Sequence, residues 1–446
     1  MTLLATPTSA GKLPRLARGA WRVLARLAND SLLQKSVLSI FDQAVVSGTS
    51  FLTSVVLGRL VTKEDLGVYY LAISIVFFVR GIQEQLVSAP YMIYSSRREG
   101  AALQRFAGSA LVHECVVVLA ACAVLTAAAL LHLLPAGLDG AAGILIGSLP
   151  LLLLRDFIRQ MSFADLNMRA AIALDVTVAT LQLGGIAMLA SRGWLTVGLT
   201  FGILALSCAV PVAVWLLVRG RRMLFGWHSA VADFRHNWPF ARWALATQLL
   251  ACTTPYLMPW VVALTHSEAE TGTLGACTTL VGLANMVMMG LCNFLGPKAT
   301  RAFSAGGVAA LWSVLTKAAM LFTSTLGLIC LAGFIFGEQL TTWVYGEQFA
   351  GTGLLVGVLS LSVLANSLGV MAGNGLWAME RPSANFVADL LSLLVTIVAT
   401  VTLVPLWGPL GAALATLAGT VSDAILRVLV LRRTMREVSL AAGGAP

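Results

Sequence analysis

Twelve apolar stretches follow one another along the chain. They fall at 37–60, 66–92, 107–133, 143–163, 171–191, 194–218, 241–264, 272–295, 311–336, 352–374, 386–405 and 409–431. About 20 apolar residues cross a bilayer as an α-helix. None of the stretches alternates polar with apolar residues, which excludes membrane-spanning strands. Composition leaves no water-soluble alternative. Of 446 residues, 58% are hydrophobic and 11% charged, whereas a soluble domain carries about 25% charged residues. The expected fold class is an all-α polytopic membrane protein, with the twelve helices in two six-helix bundles around a central cavity.

The net charge of +9 would suggest nucleic acid in a soluble protein. Here it follows the rule that loops on the cytoplasmic side collect Lys and Arg. With the N-terminus inside, that side receives Lys12, Arg15, Arg18, Arg22 and Arg26, then Arg97, Arg98 and Arg105, then the arginines of a central loop from Arg219 to Arg242. The other side receives Arg59, Lys63 and Arg192, with several glutamates. An even helix count then places both termini in the cytoplasm. Residues 12–30 read as a basic amphipathic helix lying on the membrane face, within a cytoplasmic segment 1–35. The bundles occupy 36–218 and 241–431, a cytoplasmic linker 219–240 joins them, and 432–446 form a tail. A weak repeat supports two parallel halves: Asp65-Leu66-Gly67 before helix 2 matches Glu270-Thr271-Gly272 before helix 8, and Pro90 matches Pro297.

No loop is large enough for a catalytic domain, and neither a phosphate-loop motif nor HExxH is present. No catalytic residue, cofactor or metal site is expected. The seven scattered cysteines read as small packing residues. Transport is the remaining class of function. Charges inside the apolar stretches then carry the argument, because each costs at least about 2.5–3.5 kcal/mol at a helix centre. Arg80 and Glu84 stand one turn apart in helix 2. Arg155 and Arg159 share a face of helix 4, with Asp156 spaced to pair with Arg159. Asp42 lies in helix 1, Asp175 near the start of helix 5, and Asp389, Asp423 and Arg427 in helices 11 and 12. Three arginines against two nearby acids predict a net positive cavity in the first half. Guanidinium groups bind phosphate oxygens in pairs and stay charged, so Arg80, Arg155 and Arg159 are candidate ligands for a phosphorylated anion. Asp42, Glu84 and Asp156 are candidates for charge balance or ion coupling. Pro255 and Pro259 in helix 7 mark either a hinge or a fixed bend.

Residues 41–94 contain Asp42-Gln43, Arg59, Glu64-Asp65-Leu66-Gly67-Val68-Tyr69 and the Gln83-Glu84 to Pro90 stretch. Together with LCNFLGPKATRAF at 291–303 and YGEQFAGTGLL at 345–355, they resemble Wzx-like polysaccharide flippases of the multidrug/oligosaccharidyl-lipid/polysaccharide (MOP) exporter superfamily. The resemblance implies a V-shaped pair of bundles that moves undecaprenyl-diphosphate-linked oligosaccharide to the outer leaflet by alternating access. It implies membrane lipids and polysaccharide polymerase or export proteins as partners, and no nucleic acid. Outward movement of an anion gains about 2.3 kcal/mol per charge per 100 mV, so the potential or a coupled ion could drive it. The alternatives are an ion-coupled multidrug exporter, which wants an acidic cavity, and a membrane-embedded polysaccharide ligase or polymerase, which wants a large outer loop.

Overall fold

The computed structural model describes residues 31–441, and every regular element among them is helical. The basic segment at 12–30 lies outside the described residues. Helix α1 is Ser31–Leu60 and α2 is Lys63–Ser95, the latter passing through a π-helical turn at Glu84–Ser88. Then come α3 (Gly100–Leu130), α4 (Ala136–Ala164), α5 (Met168–Ser191), α6 (Val197–Val218) and α7 (Trp227–Thr265). The run Glu268–Tyr345 breaks at Gly306 and Gly307, where φ reaches +60°, giving α8 (268–305) and α9 (308–345). Helix α10 is Gly353–Ala378, and Pro382–Ala441 breaks at Gly408 into α11 (382–407) and α12 (409–441). The glycines carry these breaks because a side chain resists positive φ. Nine helical stretches among the described residues are long and apolar enough to cross a membrane. The protein is multi-pass.

Several sequence expectations need correction. Residues 219–240 are not a loop: after a short 3₁₀ turn at Gly220–Arg222, α7 starts at Trp227. The last helix runs on to Ala441, so the tail expected from 432 begins as helix, and α1 already includes residues 31–35. Helix α2 runs on through Pro90 to Ser95, and α8 through Pro297. Proline at position 90 removes one backbone donor, and the π turn just before it absorbs the mismatch. Helix α7 stays continuous through Pro239, Pro255 and Pro259.

The repeat motifs meet. Thr62 and Ser267 each cap a helix by accepting from the backbone N–H three residues on, that of Asp65 and of Glu270. One turn later, a Cβ on Gly67 would collide with the Glu268 carbonyl oxygen, and a Cβ on Gly272 with the Lys63 carbonyl oxygen. Equivalent positions in the two halves thus pack reciprocally, backbone against backbone, which only glycine permits. The seam continues around this point. Arg59 donates to the carbonyls of Trp343 and, at 2.7 Å, Val344, the open C-terminal end of α9. Gln348 donates to the Gly58 carbonyl at 2.5 Å, and the Tyr345 hydroxyl meets Ser54 at 3.0 Å. Two of the motif stretches, around 58–70 and 345–348, therefore touch each other across the halves.

At the opposite end, which carries the arginine-rich loops, the ties between halves run through the start of α7. Arg98 pairs with Asp233 at 3.3 Å, and His113 bonds the Ala230 carbonyl at 2.8 Å. Among the described residues, no hydrogen bond or ion pair joins residues 31–218 to α10, α11 or α12. The halves meet around Gly67 and Gly272 at one end and through the start of α7 at the other.

Candidate functional site

Four helices bring six charged side chains into one alternating chain within the first half. Arg80 on α2 pairs with Asp156 on α4 at 3.2 Å. Asp156 also accepts from Arg155 at 2.8 Å. Arg155 reaches Asp175 on α5, which accepts from Arg159 at 2.6 Å. Arg159 ends the chain on Asp42 of α1 at 2.5 Å. Its guanidinium also lies 4.8 Å from the centre of the Phe163 ring. Asp42, Asp156, Arg159 and Asp175 are all buried. Three guanidinium groups and three carboxylates alternate, so each charge has an opposite neighbour.

This overturns the expected positive surplus. Asp175, left outside the cluster by the sequence reading, supplies the third carboxylate. The expected Asp156–Arg159 pair does not form either; Asp156 turns to Arg80 and Arg155, and Arg159 turns to Asp42 and Asp175. Glu84 joins no ion pair among the described residues and instead opens the π turn. The three arginines do converge, and they differ in access. The Arg80 side chain is 28% exposed, that of Arg155 12% and that of Arg159 8%. Arg80, Arg155, Asp156 and Asp175 line a cavity of about 100 Å³ with Thr49, Ser50 and Gln182.

A second pocket lies in the other half, between α7, α10, α11 and α12, with a volume of about 280 Å³. Its wall is rich in hydroxyls, among them Thr254, Ser392, Thr396, Thr416 and Thr420, with the amide of Asn366. Arg427 clamps two carboxylates there, Asp423 at 2.8 Å and Asp389. The i,i+4 pair read from the sequence is thus present and joined by a third member. The pocket itself was not legible: single hydroxyls in apolar helices give no signal until four helices place them together. Pro255 and Pro259 lie on α7 on either side of Tyr256, whose ring meets Phe77 of the arginine-lined cavity at 6.1 Å.

Solved structures share this architecture. An inward-facing multidrug resistance MATE-family transporter of the MOP superfamily superposes with a TM-score of 0.72, at 12% identity, over 89% of this chain and 95% of that one. The lipid II flippase MurJ, in an inward closed conformation, gives 0.72 at 14% identity, over 92% and 90%. The chain has the fold of these transporters. An outward-facing MATE-family structure gives 0.59 at 12% identity, over 91% and 95%. No protein-family model and no curated protein sequence matches the chain.

Proposed function

We propose that the chain is a flippase of the Wzx-like polysaccharide branch. It would carry undecaprenyl-diphosphate-linked oligosaccharide from the cytoplasmic to the periplasmic leaflet of a bacterial inner membrane, with both termini in the cytoplasm. The carrying observation is Arg80, the most exposed guanidinium of a charge chain that is otherwise buried. A diphosphate entering from the basic end can take the place of Asp156 on Arg80, exchanging one charge-assisted bond for another of the same kind. Neutrality without substrate supports this reading. A carrier must also return empty, and an unbalanced buried charge would oppose that step. The hydroxyl- and carboxylate-lined pocket of the other half offers hydrogen bonds to sugar. Lipid tails stay in the bilayer, Pro255 and Pro259 are where α7 bends as the bundles rock, and polymerase or export proteins receive the product. The domain division at 36–218, 219–240 and 241–431 belongs to the same proposal.

In a strain whose only copy carries Arg80→Ala, surface polysaccharide should disappear and lipid-linked intermediate accumulate at normal protein levels. Arg80→Lys should restore part of the export, since it keeps the charge but loses the fork. Normal export by the alanine variant removes the reading. A drug exporter is the second reading, favoured by the equal similarity to a MATE-family structure and by the two carboxylates against one arginine in the second pocket. It requires that deletion sensitise cells to cationic dyes while leaving the polysaccharide intact.

A further inference from the structure

Glu114 lies on α3 beside the arginine chain but is not part of it. It is fully buried, and neither carboxyl oxygen has a hydrogen-bond partner among the described residues. The side-chain amide of Gln83, on α2, lies against that carboxyl. Gln83 gives its Nε2 to the Leu153 carbonyl on α4 at 3.2 Å, and its Oε1 is also buried without a partner. The Gln83 amide is the donor nearest that carboxyl and is already given to the Leu153 carbonyl, so an ionised Glu114 would be a buried charge with no full hydrogen-bond partner. A proton removes the charge, and the acid O–H can then donate to the unpartnered Gln83 Oε1.

The surroundings offer no cation to balance an ionised form. From α4, the charged group facing Glu114 is Asp156, already shared by Arg80 and Arg155. On α3 itself, His113 turns away to the Ala230 carbonyl of α7, with Asp233 beyond it. On α2, Glu84 adds no positive charge. The three arginines are matched by Asp42, Asp156 and Asp175, so a fourth negative charge would stand unpaired in hydrocarbon, where it is costly.

A separate feature ties this site to motion. The π-helical turn begins at the residue after Gln83. Such a turn holds one residue more than an α-helical turn and often marks a functional site. Reverting it to α geometry would rotate the two parts of α2 against each other by about 100°, taking Gln83 away from Glu114. We propose that Glu114 is a proton-binding site. It holds its proton on Gln83 while the halves are sealed at Gly67 and Gly272, and releases it to the water between the bundles when α2 changes register. One O–H bond breaks and the carboxylate keeps the electron pair.

The test uses full-length protein in lipid vesicles and needs no substrate. The infrared spectrum of the wild type at neutral pH should hold a protonated-carboxyl C=O band. Carbon-13 glutamate should shift it and carbon-13 aspartate should not. Glu114→Gln, whose amide can still donate to Gln83, should remain folded and lack the band, and Asp42→Asn should retain it. No glutamate band in the wild type, or the same band in Glu114→Gln, overturns the site. For the link to motion, Thr420→Cys is placed in a chain freed of its own cysteines and labelled with a membrane-impermeant thiol reagent from the basic end. Divided by the labelling rate of the unfolded chain at the same pH, which carries the rise in thiolate, labelling should fall as pH rises with Glu114 and stay constant with Glu114→Gln. An equal fall in both overturns the link.

Discussion

Asp175 changes the charge of the first-half cluster by one unit and with it the meaning of the arginines. Its side chain is fully buried, and it accepts from both Arg155 and Arg159. Removing one partner of a buried ion pair leaves the other charge exposed to hydrocarbon, at a cost of about 3–5 kcal/mol. Asp175→Asn should therefore lower the melting temperature of the purified protein markedly, whereas Asp389→Asn should do so much less, because the Asp389 side chain is 44% exposed and Arg427 keeps Asp423. Comparable losses would mean that the cluster's burial does not set its energetics. The arginines themselves were legible in the sequence, since charges in apolar helices stand out. Their partners were not. An acid on α1 and another on α5 can be matched to arginines on α4 only when the helices have been placed.

At the scale of elements, the two halves meet as paired helix starts. Thr62 and Ser267 cap α2 and α8, and Gly67 and Gly272 let the backbones touch one turn later. The repeat Asp65-Leu66-Gly67 and Glu270-Thr271-Gly272 is visible in the sequence as a spacing, but the contact between its two copies is not. Its reciprocal contact explains the glycines. Gly67→Leu and Gly272→Leu should each force the seam apart and destabilise the protein to a similar degree, while Gly143→Leu, where a Cβ would meet open space, should not. Thermal unfolding of the three variants in detergent checks this; a tolerant Gly67→Leu would refute the reciprocal contact. The motif stretches around 58–70 and 345–348 have the same explanation. Their Arg59, Gln348 and Tyr345 close the seam.

For the whole molecule, the pattern of contacts sets access. The halves are bonded around Arg59, Gly67 and Tyr345, and α10 to α12 have no hydrogen bond or ion pair to the first half among the described residues. Under the proposed flippase function the pocket that includes Thr416 and Thr420 is reached from the basic end. In the cysteine-free chain, Thr420→Cys should react with an impermeant thiol reagent in inside-out vesicles and resist it in right-side-out ones. The opposite result would reverse the orientation proposed from the Lys and Arg bias. The sequence alone determined that the chain is helical and crosses the membrane many times, because each helix satisfies its own backbone and its apolar length shows locally. It also determined which charges are costly enough to need a reason. Only the tertiary structure decided which charges cancel, which glycines touch and which end is closed, because those depend on side chains far apart in the chain meeting across helices.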